Sequence, residues 1–324
     1  MSIFNIDTCK WVLWGAKVPY NTYGHIHDAI LRALKFLGKD AVWLDRDDDI
    51  SQIDFSNTLF MSMNCVIGGM PLRKDCFYVV HNAAELKEPF FKEVKLLAFG
   101  QHISTNTYSP HVLELGPEIF FDPESRVLHF RWGTDLLPHE IGANKPNNVF
   151  KSDSRVVNYV GTVDDSNRGL LARFAHACIV NGVAFRHFGG IGYQDGPVVS
   201  IEQNVRLIQE SYMAPTIQNI FQVDSGQVVC RLFKNISYGQ FGITNSKFAN
   251  DLFGGKLIYN PDTYQLFYDA LEKFQSMTKT EKLKETLQKE LWELMDEVAR
   301  KHTYLNKIDG IIRAVRTLEG GSNA

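Results

Sequence analysis

The sequence lacks any C-x-x-C pair: its five cysteines, Cys9, Cys65, Cys76, Cys178 and Cys230, stand singly. Such spacing supplies neither a zinc site nor a disulfide framework. Apolar runs are short as well. None reaches the about 18 residues that cross a bilayer, and the opening MSIFNIDTCKWVLWGAK has no unbroken signal-peptide core. A reducing cytoplasm is the expected setting. Charge of one sign is equally scarce, since Lys+Arg 34 against Asp+Glu 37 leaves a net −3. No global field then exists to attract nucleic acid or an anionic membrane, and any polyanion site must be local.

What is present is an ordinary folded composition, 44% hydrophobic and 22% charged over 324 residues. At about 150 residues per domain this suggests two domains with cores of their own. Trp11–Trp14 is an apolar run ended by Gly15, and from Tyr23 the apolar positions Ile26, Ala29, Ile30, Ala33, Leu34 and Leu37 recur at helical spacing up to Gly38. Ala41–Leu44 follows as a strand. The series predicts a βαβ crossover, hence a parallel sheet with ligands at the carboxyl ends of its strands. Further strands are predicted at Asn57–Met63, Cys76–Val80, Leu96–Phe99 and Val127–Phe130. The polar stretch IGANKPNNVFKSDS reads as a linker, dividing a domain 1–145 from a domain 146–301.

The second α/β series starts with the strand Val156–Val160, the loop at Gly161 and Thr162, and a helix carrying Leu170, Leu171, Phe174 and Cys178. Val183–Phe188 is the next strand, and Ser200 with Gln203 forms a capping box. Short strands are expected at Met213–Ile217, Phe241–Thr244 and Leu257–Tyr259. A charged helical region follows from Asp262 to Ala299, with Leu291, Trp292, Leu294 and Met295 as its buried side. A separate amphipathic helix spans His302–Leu318. The fold class is α/β, with two Rossmann-like domains.

The most informative segment is Val223–Asn245. Asp224, Ser225 and Gly226 read as a turn opening a helix over Val228–Tyr238, which would aim the amides of Ser225, Gly226, Gln227 and Val228 at an anion. Arg231 and Lys234, one turn apart, would add positive charge. His187, followed by Phe188 and Gly189, ends a strand where backbone can approach a ligand closely. Taken alone, Arg186 and His187 equally fit a strand-end ion pair and a satisfied histidine, and the charged pair on the helix equally fits a plain surface.

The order of these features resembles GT-B glycosyltransferases, in particular the spore-maturation CgeB-like and related glycosyl transferase group 1 proteins. The resemblance is carried by WGAKVPYNTYGHIHDAILRALKFLGKDAVWL, FRWGTDLLPHEI, NYVGTVDDSNR, RHFGG, SIEQNVRLIQESYMAPTIQ, CRLFKNISYGQFGITN and HTYLNKIDGII, which cover nearly the whole chain in order. It implies two domains facing across a cleft, with the segment 302–324 crossing back to brace the first. The implied reaction moves a sugar from a nucleotide-diphosphate sugar, UDP or GDP type, to a glycan or other hydroxyl acceptor without metal or cofactor. The second domain would hold the donor, through Gly161, Thr162, Arg186, His187, Gly189, Met213, Pro215, Ser225–Val228, Arg231 and Lys234. Asn21, Thr22, Tyr23 and His81 would face the acceptor. His25 is the candidate base, being a histidine matched to neutral pH, and Asp135 a lesser one.

Two positions depart from the family pattern. Lys234 stands where a ribose-binding Glu is common, and Gly226 where retaining members carry a Glu. A nucleotide-sugar epimerase or a catalytically silent GT-B-shaped binder are therefore the alternatives. Two rival motifs carry less weight. Asp45-Arg-Asp-Asp-Asp49 contains D-x-D but arrives after a single βαβ unit, so a solvated acidic turn is the simpler expectation. A dinucleotide oxidoreductase would use Asp45 on ribose, yet the first loop has no G-x-G-x-x-G.

Overall fold

The computed structural model describes residues 4–17, 22–83, 94–101, 110–145, 154–191 and 199–320. The chain divides into two units, Met1–Arg131 with Tyr304–Ala324, and Trp132–Thr303.

The first unit begins with β1 (Lys10–Trp14), α1 (Thr22–Phe36), β2 (Ala41–Leu44), β3 (Thr58–Met63), β4 (Phe77–His81) and β5 (Lys95–Gln101). β6 (Leu113–Gly116), β7 (Ile119–Asp122) and β8 (Val127–Phe130) complete one 8-stranded sheet in the order β2-β1-β3-β4-β5-β8-β7-β6. β1 pairs in parallel with β2 and β3, so the predicted crossover through α1 is present. Because β1 lies inside the sheet, Trp11–Trp14 is buried on both faces, which is why it reads as an unbroken apolar run. β6 and β7 form an antiparallel extension that the sequence reading did not contain.

The second unit carries α2 (Pro138–Asn144), β9 (Val156–Val160), α3 (Arg168–Val180), β10 (Ala184–Phe188), α4 (Ile201–Glu210), β11 (Pro215–Thr216), α5 (Ile220–Asp224) and α6 (Cys230–Ser237). It continues with β12 (Ile243–Thr244), α7 (Lys247–Leu252), β13 (Ile258–Tyr259), α8 (Thr263–Met277) and α9 (Glu281–Lys301). All its strand pairs are parallel, in a β10-β9 pair and a β11-β12-β13 sheet. Beside β9, the Tyr212 amide donates to Val156 O at 2.7 Å, but the Asn158 amide donates to the Ser211 hydroxyl at 2.8 Å. A side chain there takes a bond that a strand ladder would make. The capping box of α4 forms as read, Ser200 Oγ accepting from the Gln203 amide and Gln203 Oε1 from the Ser200 amide. On α9, Leu291, Leu294 and Met295 are buried, whereas Trp292 turns to the surface, because the residue next to Leu291 lies about 100° around the helix. Of the polar stretch read as a linker, Ile141–Asn144 instead belong to α2, with Ile141 buried, and 146–153 lie outside the described residues.

The last helix, α10 (Tyr304–Leu318), belongs to the first unit and packs on α1, β6, β7 and β8. Gly310 permits this approach: a Cβ there would sit 2.7 Å from Ile119 Cγ2. No helix among the described residues is long and apolar enough to cross a membrane.

Candidate functional site

At the carboxyl ends of β9 and β10 the structure brings together Gly161, His187, Gly189 and Arg231. Arg231 reaches from α6 to donate its Nε to Val160 O at 2.9 Å and its Nη1 to the Tyr159 hydroxyl, with the guanidinium 4.2 Å from the Tyr159 ring centroid. Gly161 sits at φ +147°, a backbone region that favours glycine, and a Cβ there would displace the Arg231 guanidinium from its seat. Gly189 is required in turn, because its Cβ would lie 2.8 Å from Gly161 O. His187 Nε2 meets Gly161 O at 2.7 Å. A carbonyl only accepts, so Nε2 carries a proton and donates it to Gly161 O. Burial pushes the Tyr159 hydroxyl pKa up, opposed by the Arg231 charge. The phenol stays neutral and serves as a platform for the cation.

Arg186 is exposed on β10, where alternation sends it to the face opposite His187. Thr162 is exposed, and its carbonyl accepts from Asn167 Nδ2 at 3.3 Å. Met213 and Pro215 are buried, Met213 within the unit's apolar core.

The segment before Arg231 differs from the sequence reading. Asp224, Ser225 and Gly226 end α5 rather than open the next helix: Asn219 and Gln222 form a capping box at its start, Ser225 is its C-cap, and Gly226 at φ +67° turns the chain away. The following helix starts at Cys230, two residues later than expected, with Val229 as its N-cap. Ser225, Gly226, Gln227 and Val228 are thus a connection. Gln227 O accepts from Gln218 Nε2 at 2.8 Å, the Gly226 amide bonds to Val223 O, and Val228 is fully buried. The free amides of a helix start belong instead to the turn containing Arg231 itself.

Lys234 and Asp135 also find a different use. Lys234 Nζ is 2.8 Å from Asp135 Oδ2, and the Tyr238 hydroxyl lies 2.7 Å from both carboxylate oxygens. Burial alone would push the Lys234 ammonium pKa down, but the Asp135 charge and hydrogen bond overcome it and the net change is upward. The Asp135 side chain is 0% exposed. A carboxylate enclosed in this way holds Lys234 in place and leaves Arg231 as the cation of α6 at the strand rim.

In the first unit, Thr22 and Tyr23 open α1, and the Tyr23 ring stands 6.2 Å from that of His81, the last residue of β4. Two of the expected acceptor residues therefore meet, while Asn21 lies outside the described residues. Burial pushes the His81 pKa down to about 4, so its ring is neutral near pH 7. His25 is half-buried at the fourth position of α1. His27 takes the other side of the helix. It is fully buried, its Nδ1 is 3.0 Å from Gly15 O, and burial pushes its pKa down to about 4. The acidic turn is used locally: Asp45 accepts from the Lys17 and Arg46 amides, and Asp48 from the Asp45 amide and Lys17 Nζ. Among the described residues no group of three or more His, Cys, Asp or Glu is placed to hold a metal ion.

Tyr159 was missed from sequence, although its signal is visible: an aromatic two residues before a glycine at a strand end, on the same strand face as Val157. Asn219 was missed as well. Its Nδ2 donates to Ser166 Oγ at 2.8 Å, tying α5 to the loop that follows β9. In comparisons with known proteins, no family model matches this chain and no curated protein matches it.

Proposed function

We propose that the protein is a glycosyltransferase that moves a sugar from a nucleoside diphosphate sugar to a hydroxyl acceptor. The observation that carries this reading is the Arg231 guanidinium held at the carboxyl rim of two parallel strands, beside glycines 161 and 189 that keep the backbone bare. Parallel strand ends are where α/β proteins bind nucleotides, and a guanidinium fork matches diphosphate oxygens. In the proposed step the acceptor oxygen forms a bond to the anomeric carbon while the bond from that carbon to the diphosphate breaks. The acceptor proton passes to a general base, and the diphosphate leaves with the bonding electron pair. Arg231 and nearby amides meet its growing charge.

The test is a panel of nucleotide sugars, with and without hydroxyl acceptors, read as nucleotide release. Release of UDP or GDP supports transfer, interconversion of sugars indicates an epimerase, and thermal stabilisation without turnover indicates a binder. Arg231→Ala should weaken nucleotide binding by about 1.5–3 kcal/mol, as for a hydrogen bond to a charged group. Unchanged affinity removes the phosphate assignment. His25→Ala should abolish turnover with donor affinity kept, and full activity in that variant removes His25 from the mechanism.

A further inference from the structure

Outside the strand rim of the second unit, the first unit buries an amine that no described residue contacts with an acceptor. Lys307 lies in the first turn of α10 and is 1% exposed, yet its Nζ has no hydrogen-bond partner among the described residues. Arg131, one residue past β8, is also 1% exposed, and its Nε is 3.0 Å from Glu118 Oε2 in the turn between β6 and β7. Among the described residues the charges acting on Lys307 are those of Arg131 and Glu118, two cations and one carboxylate in all. With Lys307 protonated the group carries one excess positive charge, and the positive end of the α10 dipole adds to it. An ammonium without acceptors is among the most costly groups a protein interior can hold, and a methionine of similar length would fill the same space at no electrostatic cost.

We propose that Lys307, Arg131 and Glu118 form a buried receptor for one compact monovalent anion, chloride or a small carboxylate. One negative charge brings the group to neutrality, while a divalent anion overshoots it. The occupant gives Lys307 its missing acceptor and offsets the excess charge that Lys307 and Arg131 carry over Glu118. Without the anion, burial pushes the Lys307 pKa down to about 7, opposed by Glu118 and assisted by Arg131. Of the elements packed on α10, the β6–β7 turn and the end of β8 supply those two charges. Glu114 of β6, Asp122 of β7, His129 of β8 and His25, Asp28 and Arg32 of α1 are absent from the charges acting on Lys307. Anion binding is consequently coupled to uptake of one proton by Lys307.

The experiment titrates sodium chloride or sodium formate into the full chain at constant ionic strength, balanced with gluconate, whose bulk excludes it from such a site. Binding is read by thermal midpoint and by calorimetry in two buffers of different ionisation enthalpy. The expected result is a rise in midpoint at pH 6.5, proton uptake on binding at pH 8, and affinity falling about tenfold per pH unit above neutrality. A response to chloride alone identifies a halide site, and one to formate alone a carboxylate site. Lys307→Arg, whose charge persists at all these pH values, should keep binding and lose its pH dependence, and Lys307→Met should lose the response. The proposal is overturned if the native chain is indifferent to both anions, if its response ignores pH, or if Lys307→Met responds equally. The wild-type pH series decides the matter even if a variant does not fold.

Discussion

Two buried lysines, one in each unit, have opposite fates. Lys234 in the second unit has Asp135 2.8 Å away and its pKa moves up, whereas Lys307 in the first unit has no acceptor among the described residues and its pKa falls to about 7. Both are pushed down by burial, so the partner alone decides the outcome. The second unit treats its other inward cation alike, seating Arg231 on Val160 O and the Tyr159 ring. Burying a cation is tolerable when acceptors are built around it, and where they are missing the charge must be shed or matched from outside.

The sharpest way to break this contrast is to make Lys234 resemble Lys307. Asp135→Ala leaves an ammonium buried without its carboxylate, and chemical denaturation should show a loss of about 3–5 kcal/mol. Pairing Asp135→Leu with Lys234→Met should restore most of it, because neither charge remains to be desolvated. The converse change, Lys307→Met, should stabilise the protein in gluconate buffer at pH 7 by on the order of 2–4 kcal/mol. Its pH dependence has a definite sign. The unfolded lysine, with a pKa near 10.5, binds a proton that the folded one releases above about 7, so native stability rises between those values. Denaturation midpoints at pH 7, 8.5 and 10 should converge with those of Lys307→Met as pH increases.

Gly161→Ala tests the arginine seat. Its Cβ would collide with Nη2 in a backbone region that favours glycine, which predicts a loss of about 1–3 kcal/mol in stability together with weakened nucleotide binding. The smallest effect belongs to an exposed lysine. Lys247 meets Asp251 at 2.6 Å one turn along α7, both side chains being exposed, and Lys247→Ala should leave the denaturation midpoint unchanged within error.

Much of the architecture was legible. Trp11–Trp14, Ala41–Leu44 and Val156–Val160 are apolar runs too short for helices and bounded by turn residues, and each is a strand of a parallel ladder. The pair β6 and β7 was not legible: LELG and IFFD are short, and their half-buried alternation only acquires meaning beside β8. The helix boundary before Arg231 failed for a local reason. Asp-Ser-Gly suits the end of one helix as well as the start of another, and the cap supplied by Asn219 tips it toward an end. Of the candidate site, the glycines and cations were visible by type and strand-end position. Their partners were not.

By itself the sequence determined what depends on neighbours along the chain: alternation of strand and helix, the capping box at Ser200, and glycines where the backbone must turn. Only the tertiary structure decided which groups come within reach of each charge. Asp135 and Lys234 are 99 residues apart, Tyr159 and Arg231 72, and Arg131 and Lys307 176. The pKa of a buried group is set by what lies within a few ångströms of it, and those distances are created by folding.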